Sequence, residues 1–412
     1  MQAHRAFFLT ALFLLTSLVG AQAAPAENNR LSISLSARAR YESRNNSVFN
    51  NFRSDATQFV AQKWTAEAAL KDRPCPMLMQ VRFARDKVAS LNFTYLYQFY
   101  ADIGKTVVTR VGRQSLQYAD SRIISDPPWN NVGRSFDGLR FMWKGKRLHS
   151  DFLALQCVTP NGQPPQNPQV LLGSYNSLDL SRGTLLDFYW LNRFQKPSPL
   201  GGGDIVLNAY GVRLRGKVEP FGYYAEFIAQ AGGTGRKSVS SFGQFYRLNY
   251  TFRDRWRTKF EAGLDSASGT TDPTQGDSHT YDPLYASAHK YYGFMDLVGM
   301  RNMHDLVLSL ESSPAPGWGF NLMHHTFHLD QPRDAWYTTT GQVLLSDPTG
   351  AWGTFMGTEL DLVISRKSKS GTTCLEGGVG RFWPSAGSGA VAARQGITTP
   401  ADFLYFSIEQ KI

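Results

Sequence analysis

Residues 31–42 read LSISLSARARYE, and their alternation decides what kind of chain this is. Leu31, Ile33, Leu35, Ala37, Ala39 and Tyr41 fall on one face of an extended strand, and Ser32, Ser34, Ser36, Arg38, Arg40 and Glu42 on the other. No helical period separates those two sets. A soluble sandwich buries the apolar set against a second sheet, whereas a membrane barrel turns it to lipid and the polar set to water.

Number and length favour the barrel. Runs of this kind recur about 18 times, an even number, and most approach the roughly 9–11 residues that a tilted strand needs to cross hydrocarbon. Their connections alternate between short turns, such as Ile103-Gly104-Lys105, Gly145-Lys146 and Ser181-Arg182-Gly183, and long polar loops. The expected fold is therefore all-β: a transmembrane antiparallel up-and-down β-barrel of about 18 strands, with short periplasmic turns and long extracellular loops. Tyr95, Tyr97, Trp143, Trp190, Tyr223, Tyr250 and Tyr405, near strand ends, are expected to form aromatic girdles at the two interfaces.

Composition and compartment agree with this. The chain starts MQAHR, continues with an apolar run from Ala6 to Gly20 and reaches Ala21-Gln22-Ala23, a small-x-small cleavage pattern, so residues 1–23 read as a cleaved signal peptide and 24–412 as one barrel domain. No later stretch approaches the roughly 20 apolar residues of a spanning helix, yet 13% of residues are aromatic and apolar residues recur at period two. Three cysteines, Cys75, Cys157 and Cys374, are too few and too scattered for a disulfide framework or a zinc site. The formal charge of +10 is spread over the strands without nucleic-acid-binding signatures.

The most informative polar stretch is residues 111–142, VGRQSLQYADSRIISDPPWNNVGRSFDGLRFM. It enters and leaves as strands, and between them carries Arg113, Gln114, Asp120, Arg122, Asp126, Trp129, Asn130, Asn131, Arg134 and Asp137. That mixture suits a folded-in loop meeting a polar ligand or, more plainly, a solvated loop. Residues 112–141 resemble the signature of the bacterial alginate export family of outer-membrane barrels, DPLYASAHKYYGFMDLVGMRNMHDL at 282–306 resembles that family's second hallmark, and GTELDL at 357–362 a third. The chain is expected to be a monomeric outer-membrane porin for anionic or polar saccharides, and the resemblance implies secretion of an anionic polyuronate, with Arg113, Arg134, Asp137 and Arg140 of the first signature as site residues. Direction, cargo and any periplasmic secretion partner stay open. A general or uptake porin for small anionic or aromatic solutes is the alternative, and an outer-membrane hydrolase a third.

A barrel this wide encloses water unless loops fold in, so inward residues set what passes. Opposite the apolar parity lie Arg38, Arg40, Arg82, Arg110, Arg140, Arg213, Arg215, Arg247 and Lys259, with Glu261, Glu359, Asp361 and Glu376 as counter-charges. Arginine forks bind carboxylates bidentately, so the set reads either as a ladder for anions or as networks bracing the wall. Arg113 shares parity with the outward Val111 and serves the lumen only above the bilayer. The insertion 267–304 is the second candidate constriction, and its YYGFMDLVGM run is expected to form a short helix in the mouth or a loop packed on itself.

Chemistry is sparse by comparison. His324 and His328 share a strand face but lie about 13 Å apart, and His325 points away, so no single metal fits them. No spacing specifies a nucleophile with its base, and no cofactor motif is present, so the chain is not expected to be an enzyme.

Overall fold

The structure is a computed structural model that describes residues 31–46, 56–71, 74–85, 92–158, 168–196, 203–385 and 399–412. The expected leader at 1–23 lies outside these residues. Eighteen strands form one antiparallel sheet: β1 (Leu31–Asn45), β2 (Thr57–Leu70), β3 (Met77–Arg85), β4 (Asn92–Ile103), β5 (Val107–Gln114), β6 (Phe136–Lys144), β7 (Leu148–Cys157), β8 (Gln169–Ser181), β9 (Thr184–Gln195), β10 (Ile205–Val218), β11 (Phe221–Thr234), β12 (Lys237–Thr251), β13 (Lys259–Ala267), β14 (Met303–Ser312), β15 (Trp318–His328), β18 (Phe355–Lys367), β19 (Thr373–Pro384) and β20 (Ala401–Lys411). Two short strands, β16 (Trp336–Tyr337) and β17 (Val343–Leu345), pair within the connection between β15 and β18.

Each strand pairs with its neighbours in the sheet, and β20 returns to β1, where Ser36 lies opposite Lys411. Leu35 and Ile412 exchange both backbone hydrogen bonds, at 3.0 and 2.8 Å. The sheet is thus a closed cylinder without an edge, as hydrocarbon requires, since an unpaired backbone group there has no water to turn to. No helix among the described residues is long and apolar enough to cross a membrane, which strands do instead.

Leu31, Ile33 and Leu35 face outward, 48%, 70% and 49% exposed, so the two-sheet alternative is gone. Further up β1 the same face is shielded: Ala37 sits opposite Trp64 and Ala39 opposite Ile408, and with Tyr41 they form a small outer cluster. Trp143, Trp190 and Tyr250 stand on the outer wall as expected of a girdle. Tyr95, Tyr97 and Tyr405 do not; they are buried inside. For the first two the cause is a bulge: Gln80 pairs with Gln98 and Val81 with Leu96, so Tyr97 is an extra residue and parity reverses along β4. Tyr405 lies between the outward Leu404 and Phe406 and so points inward.

The long connections 115–135, 268–302 and 329–354 all leave from one end of the cylinder, and the opposite end carries tight turns, the asymmetry of outer-membrane barrels. One departure is the β11–β12 connection, a two-residue turn at the long-loop end, because both strands run through the Gly232–Gly233 region and pair as far as Thr234 and Lys237.

Outward position and strand centre together set the cost of charge. Val212→Lys, at mid-β10 and facing out, is expected to destabilise the barrel by about 2–4 kcal/mol in lipid vesicles, and Val218→Lys, at the strand end, by no more than about 1 kcal/mol. Denaturant unfolding of both variants measures the difference; equal costs refute the assigned membrane depth.

A loop-filled lumen above a charged vestibule

The connection 115–135 crosses the barrel. Near its start the Tyr118 hydroxyl donates to Asp151 on β7 at 2.5 Å. Arg122, almost wholly buried, donates to Asp265 on β13 at 2.7 Å, and its guanidinium lies 3.8 Å from the Tyr291 ring. The far end is held by β1: Arg38 donates to the carbonyls of Pro128 and Trp129 at 2.7 and 2.6 Å and to the Asn131 side chain at 2.7 Å. Arg40 donates to the Trp129 carbonyl at 2.6 Å while its guanidinium covers that indole at 3.6 Å.

The connection 268–302 packs against the first one. Backbone bonds join Tyr285 N to Ile123 O, Ser125 N to Tyr285 O and Ser287 N to Ser121 O, at 3.1, 3.0 and 2.9 Å, and the Trp129 indole stacks on the His289 ring at 4.1 Å. Three wall contacts pin it. Asp282 accepts both terminal nitrogens of Arg193 on β9, at 3.1 and 2.8 Å, and Arg301 at 3.1 Å. Asp296 meets Arg44 of β1 at 3.2 Å and His289 at 2.8 Å. The amides of Phe294 and Met295 donate to Asp361 and Glu359 of β18, at 3.3 and 2.9 Å. The expected helix over YYGFMDLVGM is therefore absent: after one turn, in which the Tyr292 amide reaches the Ala288 carbonyl, the Phe294 and Met295 amides bond to wall carboxylates, and Gly293 and Asp296 adopt positive φ of 79° and 59°. Ile123, Ile124, Tyr281, Tyr292, Leu297 and Val298 join wall residues such as Leu155, Leu191, Phe245 and Phe382 in one apolar core.

Toward the short-turn end the lumen opens. One cavity of about 530 Å³ is roofed by Asp120 and lined by Arg215, Lys217, Tyr224, Arg247, Asn249 and Glu261. Another, of about 570 Å³, shares Lys217 and runs past Arg257, Lys259, Glu311, Asn321 and Glu376 beneath Phe294. Both signs of charge line this vestibule, and β10 contributes Arg215 and Lys217 at alternate positions.

The residues singled out by sequence divide into three groups. Arg38, Arg40, Arg82, Arg110, Arg134, Arg140, Arg213 and Arg247 point inward but are engaged: Arg82 covers Tyr97 at 3.6 Å and faces Asp126 at 3.9 Å, Arg110 grips Asp102 through two bonds of 2.7 Å, and Arg140 meets Asp151 at 2.5 Å. Arg134 donates to the carbonyls of Ser125 and Tyr285, Arg213 to Asp187, and Arg247 to Asp265. Glu359 belongs here too, as a loop anchor. Lys259 and Glu261 line the vestibule, Lys259 being 3.0 Å from Glu311. Arg113 and Asp137 correct the expectation of a lumen role. They form a bidentate pair at 2.8 Å on the outer wall, opposite the outward Phe99 and on the parity of Val111 and Leu139.

Sequence reading missed Arg44, Arg193, Asp265 and Arg301, while Asp282 lies in the 267–304 insertion expected to constrict the bore. Parity offered a signal for three of the missed residues, because Arg44 continues the inward series of β1 beyond Glu42, Arg193 that of Tyr189 and Leu191 on β9, and Asp265 that of Lys259 and Glu261 on β13. Cys75, Cys157 and Cys374 are free thiols. Among the described residues no His, Cys, Asp and Glu side chains converge to hold a metal.

The Asp282 anchor has a pH signature. Burial works to raise its carboxyl, but the guanidiniums of Arg193 and Arg301 and the Leu284 amide outweigh it and bring it down to about 2. A depressed carboxyl contributes stability that is complete above the unfolded value of about 4 and is lost as pH falls through the folded value. The unfolding midpoint is therefore expected to drop between about pH 4 and pH 2. Asp282→Asn should lower the midpoint at neutral pH and flatten that drop; an unchanged pH profile in the variant excludes the anchor.

Known proteins place this geometry. No curated protein sequence matches the chain. Solved Pseudomonas aeruginosa outer-membrane structures share the fold at low identity: OpdK with vanillate (TM-score 0.63, 9% identity, 93% of this chain and 98% of that one) and OpdO (0.63, 12%, 93% and 97%). OccD3 (OpdP) is similar as well, with TM-score 0.62 and 11% identity over 95% of this chain and 92% of that one. These likenesses show the fold alone, a closed β-barrel shared at low identity. The sequence model for alginate export matches residues 29–404, nearly the whole barrel, and the chain therefore belongs to the alginate export family of outer-membrane channels.

Proposed function

We propose that this channel passes anionic saccharides of the polyuronate kind by diffusion, as a monomer and without catalysis. The observation that carries the reading is the lumen face of β10, where Arg213, Arg215 and Lys217 follow one another at alternate positions beside the vestibule, the last two about half exposed. Guanidinium forks bind carboxylates through paired hydrogen bonds, and the carboxylates Glu261, Glu311 and Glu376 across the vestibule weaken the field enough for a bound anion to leave. Tyr224 adds an aromatic face of the kind that meets a sugar ring. Family membership supports a polyuronate as cargo, and export as the direction.

A second reading is uptake of small anionic or aromatic solutes. It is favoured by the loop-filled half of the lumen, which narrows the way through, and by the similar OpdK barrel, whose structure was solved with vanillate.

Single-channel recording in planar bilayers separates them. Anion preference is expected, shrinking as salt rises because screening shortens the reach of the lumen charges. Oligouronates should interrupt the current where neutral oligosaccharides do not. Cation selectivity, or equal block by both sugars, refutes the polyuronate reading; block by aromatic acids alone selects the second one.

A further inference from the structure

At the roof of the vestibule three consecutive residues, Ala119, Asp120 and Ser121, have φ of 50°, 48° and 75°. None is glycine, and L-residues hold such a conformation only where their surroundings impose it. Here the surroundings do: Tyr118 is tied to Asp151 on one side, Arg122 to Asp265 on the other, and the Asp120 carbonyl accepts the Tyr291 hydroxyl. The clamped turn aims the Asp120 carboxylate down at β10. One oxygen lies 3.1 Å from Arg213 Nη1 and the other 4.0 Å from Arg215 Nη1.

The grip is loose. Arg213 directs its Nε and Nη2 at Asp187, and its Nη1, though buried, has no aligned hydrogen bond to Asp120 or any other group. Arg215 is half exposed and touches Asp120 only at the limit of an ion pair. Two guanidiniums thus face one carboxylate that leaves donors on both unbonded: Asp120 and Arg215 line a cavity wide enough for a ligand, and Arg213 lies buried directly behind Asp120.

We propose that Arg213 and Arg215 form a carboxylate-binding seat and that Asp120 is its tethered occupant, a built-in competitor that a passing carboxylate displaces. A tethered group competes at an effective concentration on the order of millimolar, so an isolated monocarboxylate is held off. A polyanion is not, because a second carboxylate reaches Lys217, one alternate position and about 6.7 Å further down the same strand, where it exchanges with the exposed Glu219 that Lys217 holds at 2.6 Å. Asp120 then sets the preference of the channel for chains of carboxylates over single ones. This last step rests on the anionic-saccharide reading; the seat itself does not.

The test uses the full chain in planar bilayers with acetate and an oligouronate as separate blockers. Asp120→Asn is expected to lower the half-blocking acetate concentration by roughly tenfold, the advantage a tethered competitor takes away, and to shift the oligouronate value much less. Arg215→Ala on that background should undo the gain, and Asp120→Glu, which keeps the charge, should stay near the parent protein. An unchanged acetate value in Asp120→Asn, or a gain that survives Arg215→Ala, overturns the seat. If acetate behaves as expected while oligouronates block neither protein, the seat stands and the saccharide reading falls.

Discussion

A cylinder of eighteen strands is too wide for its own side chains to fill, and the rest of this molecule answers that void. Closure satisfies the backbone, but it leaves a bore into which water or chain must go. Here chain goes in at one end. Two long connections fold inward, meet each other through backbone bonds such as Ser287 N to Ser121 O, and together with the wall build an apolar core inside a membrane protein. The sheet is thus apolar on its outer face toward lipid and apolar again on part of its inner face.

An inserted loop brings backbone polar groups into a dry place, and those groups need partners. The wall supplies them through charged side chains. Arg38 and Arg40 take up the carbonyls of Pro128 and Trp129, while Glu359 and Asp361 take up the amides of Met295 and Phe294. A buried ion pair contributes little net stability once desolvation is counted, but losing one partner leaves the other stranded. Pairs such as Arg122–Asp265 and Arg193–Asp282 therefore act mainly to fix where the loops sit. The wall charges that parity marked as inward are mostly spent this way.

How much of this was legible follows from what parity can carry. Alternation tells which face a side chain is on, so the outward Leu31, Ile33 and Leu35 and the inward Arg38, Arg40 and Arg213 could be read from the chain. It fails where the backbone inserts a residue: Tyr97 sits at a bulge, and nothing in NFTYLYQFY marks it. It gives direction but no partner, so a guanidinium free in water and one gripping Asp265 look the same in sequence. Arg113 and Asp137 show the converse, since a charge-rich signature drew them toward the lumen while parity with Val111 and Leu139 put them on the outer wall. Loop folding was legible only as composition. The Tyr285–Ile123 and Trp129–His289 contacts join residues far apart in sequence, and only the closed cylinder brings them together.

The division of the bore into a packed half and a wet half also divides the work of its charges. A cation bonded to backbone carbonyls or to a fully buried carboxylate has its field largely spent locally, and a passing solute feels little of it. A half-exposed cation in water keeps a reach of about 8–10 Å at physiological ionic strength. Selectivity thus belongs to the shorter series at the vestibule, the unbonded Nη1 of Arg213 with Arg215, Lys217 and Lys259 against Glu261, Glu311 and Glu376. Because that series is mixed in sign, the field in the vestibule depends on where the cations stand in line along β10 rather than on net charge. A strand spaces alternate side chains at a fixed interval of about 6.7 Å, so Arg213, Arg215 and Lys217 hold their charges at set intervals down the wall of the vestibule.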